Sequence, residues 1–258
     1  MSLRRALSLF LVCLLPASAR GIIGGLPLPD AKAGIYRSVV RIHRGGETGG
    51  CTGTFVNETT VLTAAHCLVY EHGRIERPSV FIGKVQAVYQ LAHSNVVFPT
   101  DGTSNDDALP HDLGIVVFPE KTASQHGITQ FPAFASSAPN EKDEVILVGF
   151  SPYLNLDQTR KGATERRWGW APTRKLEGGI VFTEGRAEIT QDPPTGKSVR
   201  VAGGDSGGPL FLKSGRWVGV ASAGGAFYDR FVFLQSDSST SFLGKILDCR
   251  NHPCRGKG

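Results

Sequence analysis

The sequence is poor in cysteine, with five in 258 residues, and carries little excess charge. A chain of this length buries roughly three quarters of the surface that its unfolded form exposes, so it needs no disulfides to form a core. The formal net charge of +5 is mild and does not by itself argue for a nucleic-acid partner. With 40% hydrophobic and 20% charged residues, the composition excludes a disordered or coiled-coil chain.

Apolar runs long enough to cross a membrane are also missing. Arg4 and Arg5 precede a ten-residue stretch at 6–15 that is apolar except for Ser8, whereas a spanning helix needs about 20 apolar residues. The small residues at 17–19 then form an A-x-A pattern of the kind that signal peptidase cuts. We therefore predict a signal peptide over residues 1–19, a secreted product and no stable membrane insertion. Its removal takes away Cys13, Arg4 and Arg5, which leaves four cysteines and a formal charge of +3 in an oxidising compartment.

Short β-branched and aromatic runs recur between Gly, Pro, Asn and Asp clusters in the rest of the chain. Their spacing predicts an all-β sandwich or barrel and not alternating βαβ units. One helix is predicted near the end, where Ser241 can cap an apolar pattern of helical period. The predicted strands are 39–42, 52–56, 85–91, 113–118, 145–150, 180–182, 199–201, 209–212, 217–221 and 231–234.

Three segments carry residues suited to nucleophilic catalysis: T-A-A-H-C around His66, H-D-L-G-I-V-V around Asp112, and G-G-D-S-G-G-P-L around Ser206. A serine hydroxyl is a weak nucleophile at neutral pH and needs a base to accept its proton. An imidazole serves as that base, and a buried carboxylate fixes its tautomer. Glycines beside the serine let backbone N–H groups approach a developing oxyanion.

These segments, in this order, resemble the signatures of the chymotrypsin-like serine endopeptidases. The resemblance implies an all-β fold of two six-stranded antiparallel β-barrels with a C-terminal α-helix, and a site in the cleft between the barrels. The implied protease domain is 22–248, with barrels at about 22–135 and 136–240, the helix at 241–248 and a tail at 249–258. It further implies a monomer that hydrolyses protein or peptide substrates without a cofactor.

By the same resemblance, His66 is the general base, Asp112 its orienting partner and Ser206 the nucleophile. The backbone N–H groups of Gly204 and Ser206 correspond to the oxyanion hole. Cys51 and Cys67 lie 16 residues apart, as in the disulfide that the family places beside its catalytic histidine.

The activation segment departs from the family pattern. Ile22 matches the mature N-terminus, whose ammonium group pairs with the aspartate at Asp205. Gly21 stands between Arg20 and Ile22, where the family has a basic residue directly before the isoleucine. We predict that residues 20–21 are a short propeptide whose trimming lets Ile22 pair with Asp205.

The specificity pocket departs as well. Ser222, Ala223 and Gly224 resemble the strand that binds substrate backbone. Arg200 stands six residues before the nucleophile, where trypsin-like members have an aspartate. Either Arg200 points into the pocket and favours acidic substrate side chains, or its neighbours Val199 and Val201 face inward and it faces solvent.

Two further features have weaker interpretations. Cys249 and Cys254 are predicted to form a local disulfide in the tail, and without a C-x₂-C pair no metal site is predicted.

A catalytically silent homologue that acts as a secreted binding protein is the alternative function. A region rich in basic residues and tryptophan has the composition of a binding surface. The family resemblance implies a variable surface loop here, so we predict a solvated loop with partly buried tryptophans. The region contains Arg160, Lys161, Arg166, Arg167, Trp168, Trp170, Arg174 and Lys175.

Overall fold

The computed structural model describes residues 22–45, 50–68, 79–93, 108–151, 153–154, 160–161, 165–186, 195–225 and 227–247. The predicted signal peptide, the propeptide at 20–21 and the Cys249–Cys254 disulfide lie outside the described residues. No helix among the described residues is both long and apolar enough to cross a membrane.

The described residues are mainly β-strand. The strands are β1 (Leu26–Pro27), β2 (Val39–Arg44), β3 (Cys51–Phe55), β4 (Thr60–Thr63), β5 (Val80–Ile82), β6 (Val85–Gln86), β7 (Tyr89–Ala92), β8 (Gly114–Val117), β9 (Glu144–Gly149), β10 (Tyr153–Leu154), β11 (Arg160–Lys161), β12 (Arg167–Glu177), β13 (Ile180–Thr183), β14 (Pro209–Leu212), β15 (Trp217–Ala223) and β16 (Asp229–Phe233). The α-helices are α1 (Asp30–Ala33), α2 (Thr122–Gln125) and α3 (Asp237–Leu247), and 3₁₀ helices cover Gly34–Ser38, Ala65–Cys67 and Leu109–His111.

Seven strands of the N-terminal half form one antiparallel sheet in the order β6-β5-β2-β3-β4-β8-β7. Its strands are rich in β-branched residues, whose side chains pack well on a pleated surface. The sheet curls around a core that includes Phe55, Leu62 and Ile115, each at most 2% exposed. This curled sheet is the first barrel, and it positions the segments after β4 and before β8.

The second barrel is a closed ring of six antiparallel strands. Strands β9, β12, β13, β16, β15 and β14 pair in that order, and β14 pairs again with β9. Val145, Val181 and Phe231 belong to its core. The prediction of an all-β fold with two barrel-like halves and a C-terminal helix is confirmed. The first half is a curled sheet of seven strands, where the prediction has six, and its edge strands β6 and β7 do not pair with each other within the described residues. Residues 22–27, which the prediction groups with the first barrel, lie against the second, because β1 pairs with β12.

The two barrels share buried contacts. Just before β12, Arg166 donates through Nε to the carbonyl oxygen of Val39 at 3.0 Å and through Nη1 to Oδ1 of Asp30 at 2.6 Å. The rings of Tyr36 and Phe211, one from each half, lie 5.1 Å apart. These contacts fix the halves against each other, so a site that draws residues from both is held in one geometry.

The longest strand, β12, contradicts the prediction of a solvated basic loop in this region. Its N-terminal half alternates buried and half-buried residues from Arg167 to Thr173, and it pairs with β9 on one side and β13 on the other. Pro172 and the basic side chains are unusual in a strand, so the sequence gives little indication of it. Gly169 is required there, since a Cβ on it would lie 2.3 Å from a methyl group of Val199.

Two other predicted elements differ in extent. The predicted strand at 85–91 divides into β6 and β7, because the chain changes the strand with which it pairs. The N–H of Ala87 donates to the carbonyl oxygen of Val80, and the N–H of Val88 donates to the carbonyl oxygen of Val117. Helix α3 begins at Asp237, four residues before the predicted start. The hydroxyl oxygen of Ser236 accepts the N–H of Ser239, which is the capping role that the prediction gives to Ser241.

Candidate active site

His66 lies in the 3₁₀ helix that follows β4. The neighbouring Cys67 is joined to Cys51 at the start of β3, which is the pairing that the resemblance implies. Gly114 of β8 lets the two segments approach, because a Cβ on it would lie 2.7 Å from the Leu68 side chain and 3.0 Å from the carbonyl oxygen of Ala64. The His66 segment is therefore held by a covalent bond on one side and a close strand contact on the other.

Asp112 is fully buried and accepts three hydrogen bonds. Its Oδ1 accepts the backbone N–H of His66 at 2.9 Å, and its Oδ2 contacts Nδ1 of His66 at 2.8 Å. The hydroxyl of Ser222 donates to the same Oδ2 at 2.5 Å. Because a carboxylate only accepts, Nδ1 is the protonated nitrogen, which leaves Nε2 as the basic nitrogen of the neutral ring.

Ser206 lies in a tight turn between the strand-like segment at 199–201 and β14. The N–H of Asp205 donates to the carbonyl oxygen of Ala202 at 2.9 Å, and the N–H of Gly208 donates to the carbonyl oxygen of Asp205 at 2.8 Å. Gly207 has φ +81°, and a Cβ on it would lie 2.0 Å from Oγ1 of Thr63. Glycine is therefore required at this position for both its backbone conformation and its lack of a side chain.

Thr52 of the first barrel holds the Ser206 loop of the second. The backbone N–H of Thr52 donates to the carbonyl oxygen of Ser206 at 2.8 Å, and its hydroxyl donates to the carbonyl oxygen of Gly204 at 2.8 Å. The sulfur of Cys67 lies 3.7 Å from the same Ser206 carbonyl oxygen. The structure thus brings the predicted nucleophile beside the segment that carries His66.

The N–H groups of Gly204 and Ser206, the predicted oxyanion donors, have no hydrogen-bond acceptor within the described part of the chain. Gly204 has φ +105°, a conformation that glycine adopts readily. Its carbonyl is turned toward Thr52, which fixes the plane of the peptide after it. Two donors without acceptors beside a serine are chemically able to stabilise an oxyanion.

A cavity of about 410 Å³ opens beside Ser206. It is lined by residues 200–203, Ser206 and residues 221–225, which include the predicted substrate-binding residues Ser222, Ala223 and Gly224. Arg200 lines it too, while Val199 and Val201 are buried in the barrel core. Of the two orientations that the sequence leaves open for Arg200, the structure shows the one toward the pocket.

Ile22 and Asp205 lie on either side of Ser151. The backbone N–H of Ile22 donates to the Ser151 hydroxyl at 2.9 Å, and the N–H of Ser151 donates to Oδ1 of Asp205 at 2.8 Å. Burial raises the pKa of Asp205 to about 6, although its hydrogen bonds act in the opposite direction. In the intact chain the Ile22 nitrogen is a peptide N–H, so the ion pair with Asp205 remains a prediction for a trimmed form.

Asp229 is a buried acid near the cavity that sequence reasoning missed. Its Oδ2 accepts the N–H of Val201 at 2.9 Å, and its Oδ1 has no hydrogen-bond partner among the described residues. Burial raises its pKa to about 7. The available signal was an aspartate shortly before the apolar run at 231–234, the place where a strand begins. The sequence also identifies Ser222 but not its bond to Asp112.

Cys51, His66 and Cys67 bring ligand atoms of the kinds that metals prefer within 4.8 Å of one another. The two sulfurs are bonded to each other, so neither is a thiolate able to bind a metal ion. Chemistry in this cluster therefore rests on His66 alone.

Comparison with known proteins identifies the class. The model of a family described as a trypsin-like peptidase domain matches residues 51–220, about two thirds of the chain. The chain therefore belongs to the trypsin-like peptidases, a family of proteases. The matched range contains His66, Asp112 and Ser206.

The particular relatives are distant. A Corynebacterium glutamicum protein named "Putative peptidase Cgl1093" is 27% identical over 208 residues, which are 80% of this chain and 62% of that protein. A solved Glu endopeptidase shares the fold with a TM-score of 0.59 at 14% identity, covering 88% of this chain and 98% of its own. Human heparin binding protein does so with a TM-score of 0.63 at 15% identity, covering 92% and 100%.

Proposed function

We propose that this protein is a secreted serine endopeptidase in which Ser206, His66 and Asp112 act as a catalytic triad. The observation that carries the proposal is the Asp112 carboxylate, which is fully buried and accepts two hydrogen bonds from His66. A buried carboxylate in this arrangement fixes the imidazole tautomer and stabilises the imidazolium that forms when the ring takes a proton.

In the proposed reaction, Nε2 of His66 takes the proton of the Ser206 hydroxyl while Oγ attacks the scissile carbonyl carbon. The N–H groups of Gly204 and Ser206 stabilise the resulting oxyanion, an effect worth about 3–4 kcal/mol per donor. The imidazolium then protonates the leaving amine, which departs as an acyl-enzyme forms. A water molecule deprotonated by His66 attacks the ester carbonyl, and the proton returns to Oγ of Ser206 as the carboxylic acid is released.

Export and processing are part of the proposal. The signal-peptide pattern at 1–19 and the disulfide between Cys51 and Cys67 both suit an oxidising compartment. Trimming of residues 20–21 would turn the Ile22 nitrogen into an ammonium group beside the buried carboxyl of Asp205. We place the protease domain at 22–248, acting as a monomer on proteins or peptides.

The test is active-site labelling of the secreted full-length protein with a fluorophosphonate. The wild type should be labelled, and Ser206→Ala should lose all labelling and roughly 10⁶-fold in kcat. Ser124→Ala, at an exposed serine of α2, is the matched control and should label like the wild type. Persistent labelling of Ser206→Ala would refute the nucleophile assignment. A folded wild type that neither labels nor cleaves a peptide library would instead favour the silent binding protein.

A further inference from the structure

Arg200 is held in the cavity wall by its backbone. Its N–H and carbonyl pair with Ile23, at N–O distances of 3.2 and 2.9 Å. The neighbouring Val199 and Val201 are both buried in the barrel core. Because side chains alternate along an extended segment, Arg200 projects away from that core. Its side chain lines the cavity.

The guanidinium of Arg200 is anchored but not neutralised. Its Nη2 donates to the carbonyl oxygen of Gly225 on the opposite wall. Gly185 makes room for its stem, since a Cβ there would lie 2.1 Å from Cγ of Arg200. Within the described part of the chain, no carboxylate lies within 4 Å of the guanidinium. The group is thus a positioned cation with donors available to a ligand.

No other charged side chain among the described residues lines the cavity, whose remaining lining residues are small or apolar. At about 410 Å³ the cavity is large enough that size alone selects poorly among side chains. The nearby Asp229 does not line it, and its Oδ2 is engaged by the N–H of Val201. Burial raises the pKa of Asp229 to about 7 although the charge of Arg200 acts in the opposite direction, so Asp229 offsets at most part of the Arg200 charge at neutral pH.

We propose that the cavity receives the acidic side chain of a glutamate or aspartate at the residue whose carbonyl is cut, and that Arg200 selects it. The inference rests on the proposed peptidase function. Ser206 stands at the mouth of the cavity, so the side chain of the acylated residue enters there. A guanidinium pairs with a carboxylate through two parallel hydrogen bonds, and it repels the positive charge of a lysine or arginine side chain.

The test uses fluorogenic peptides that differ only at the residue before the cut, with Glu, Gln or Lys. The wild type should cleave the Glu peptide roughly 10- to 100-fold faster in kcat/KM than the Gln peptide, the range expected for one hydrogen-bonded charge. The Lys peptide should be slowest. Arg200→Met keeps the apolar stem and should bring the Glu/Gln ratio to about one, whereas Arg200→Lys should keep part of it.

The matched control is Arg216→Met, which removes an exposed arginine at the opposite end of β15 from the cavity and should leave the ratio unchanged. A wild-type ratio of one or less, or an unchanged ratio in Arg200→Met, would overturn the inference. The wild-type ratio decides the preference even if a variant fails to fold. Fluorophosphonate labelling separates the two proposals, because the label needs Ser206 but no acidic side chain.

Discussion

Asp229 buries an ionisable group in the second barrel, and replacing it with asparagine should change how stability depends on pH. Burial raises its pKa from 3.8 to about 7 in the folded chain. Between these values the folded chain binds a proton that the unfolded chain does not. The free energy of unfolding therefore falls as pH rises through this window, by about 4 kcal/mol in all and by about 3 kcal/mol between pH 5 and pH 8.

The Asp229→Asn side chain does not titrate, so this contribution to the pH dependence should disappear. The amide oxygen still accepts the N–H of Val201, but the amide nitrogen takes the place of Oδ1, which has no partner among the described residues. An unpaired buried donor costs about 1–3 kcal/mol at any pH. From pH 5 to pH 8 the stability of Asp229→Asn relative to the wild type should therefore rise by about 3 kcal/mol.

The assay is urea unfolding of both chains at pH 5, 6, 7 and 8, with the difference in unfolding free energy plotted against pH. Asp205 is present in both chains, and its charge contributes to the raised pKa of Asp229, so the difference measures Asp229 together with that coupling. Asp143→Asn, at an exposed aspartate, is the control and should give a flat difference. A flat difference for Asp229→Asn as well would show that Asp229 keeps an ordinary pKa, and the reasoning would fail.

Two further substitutions test the site. Ser222→Ala removes one of three hydrogen bonds to the buried Asp112 carboxylate and should lower kcat/KM about 10-fold. Ser239→Ala, at another buried serine, should leave kcat/KM unchanged, and equal rates for both variants would contradict the positioning role of Ser222. Gly207→Ala would place a Cβ 2.0 Å from Oγ1 of Thr63 and should cost about 3 kcal/mol or more in urea unfolding. Gly215→Ala, with a similar positive φ but nothing within 4 Å, should cost only about 1 kcal/mol, and equal losses would show that the clash does not matter.

The sequence predicts best where a function depends on a short contiguous segment. His66, Asp112 and Ser206 each lie in a run of glycine, small or β-branched residues that indicates both the local turn and the chemistry. The structure adds what depends on distant segments. The bond from Ser222 to Asp112 joins residues 110 apart, and no local pattern indicates it.

The errors have physical causes. The loop predicted at β12 follows from the family resemblance, which places a variable surface loop in this stretch, yet the chain here pairs with β9 and β13. The orientation of Arg200 does not follow from alternation alone, since one register points it to solvent and the other to the cavity. Only the contacts of the Arg200 side chain, which lines the cavity and donates to the carbonyl oxygen of Gly225, decide between them.

The two bonds that Thr52 sends to the Ser206 loop bear on the order in which the site forms during synthesis. His66 and Asp112 belong to the half of the chain made first, and Ser206 to the half made last. The loop of Ser206 takes two of its carbonyl contacts from Thr52 of the first half. Under the proposed mechanism, a growing chain therefore has no aligned nucleophile until the second barrel closes onto the first, and an incomplete molecule should be unable to cut itself or its neighbours.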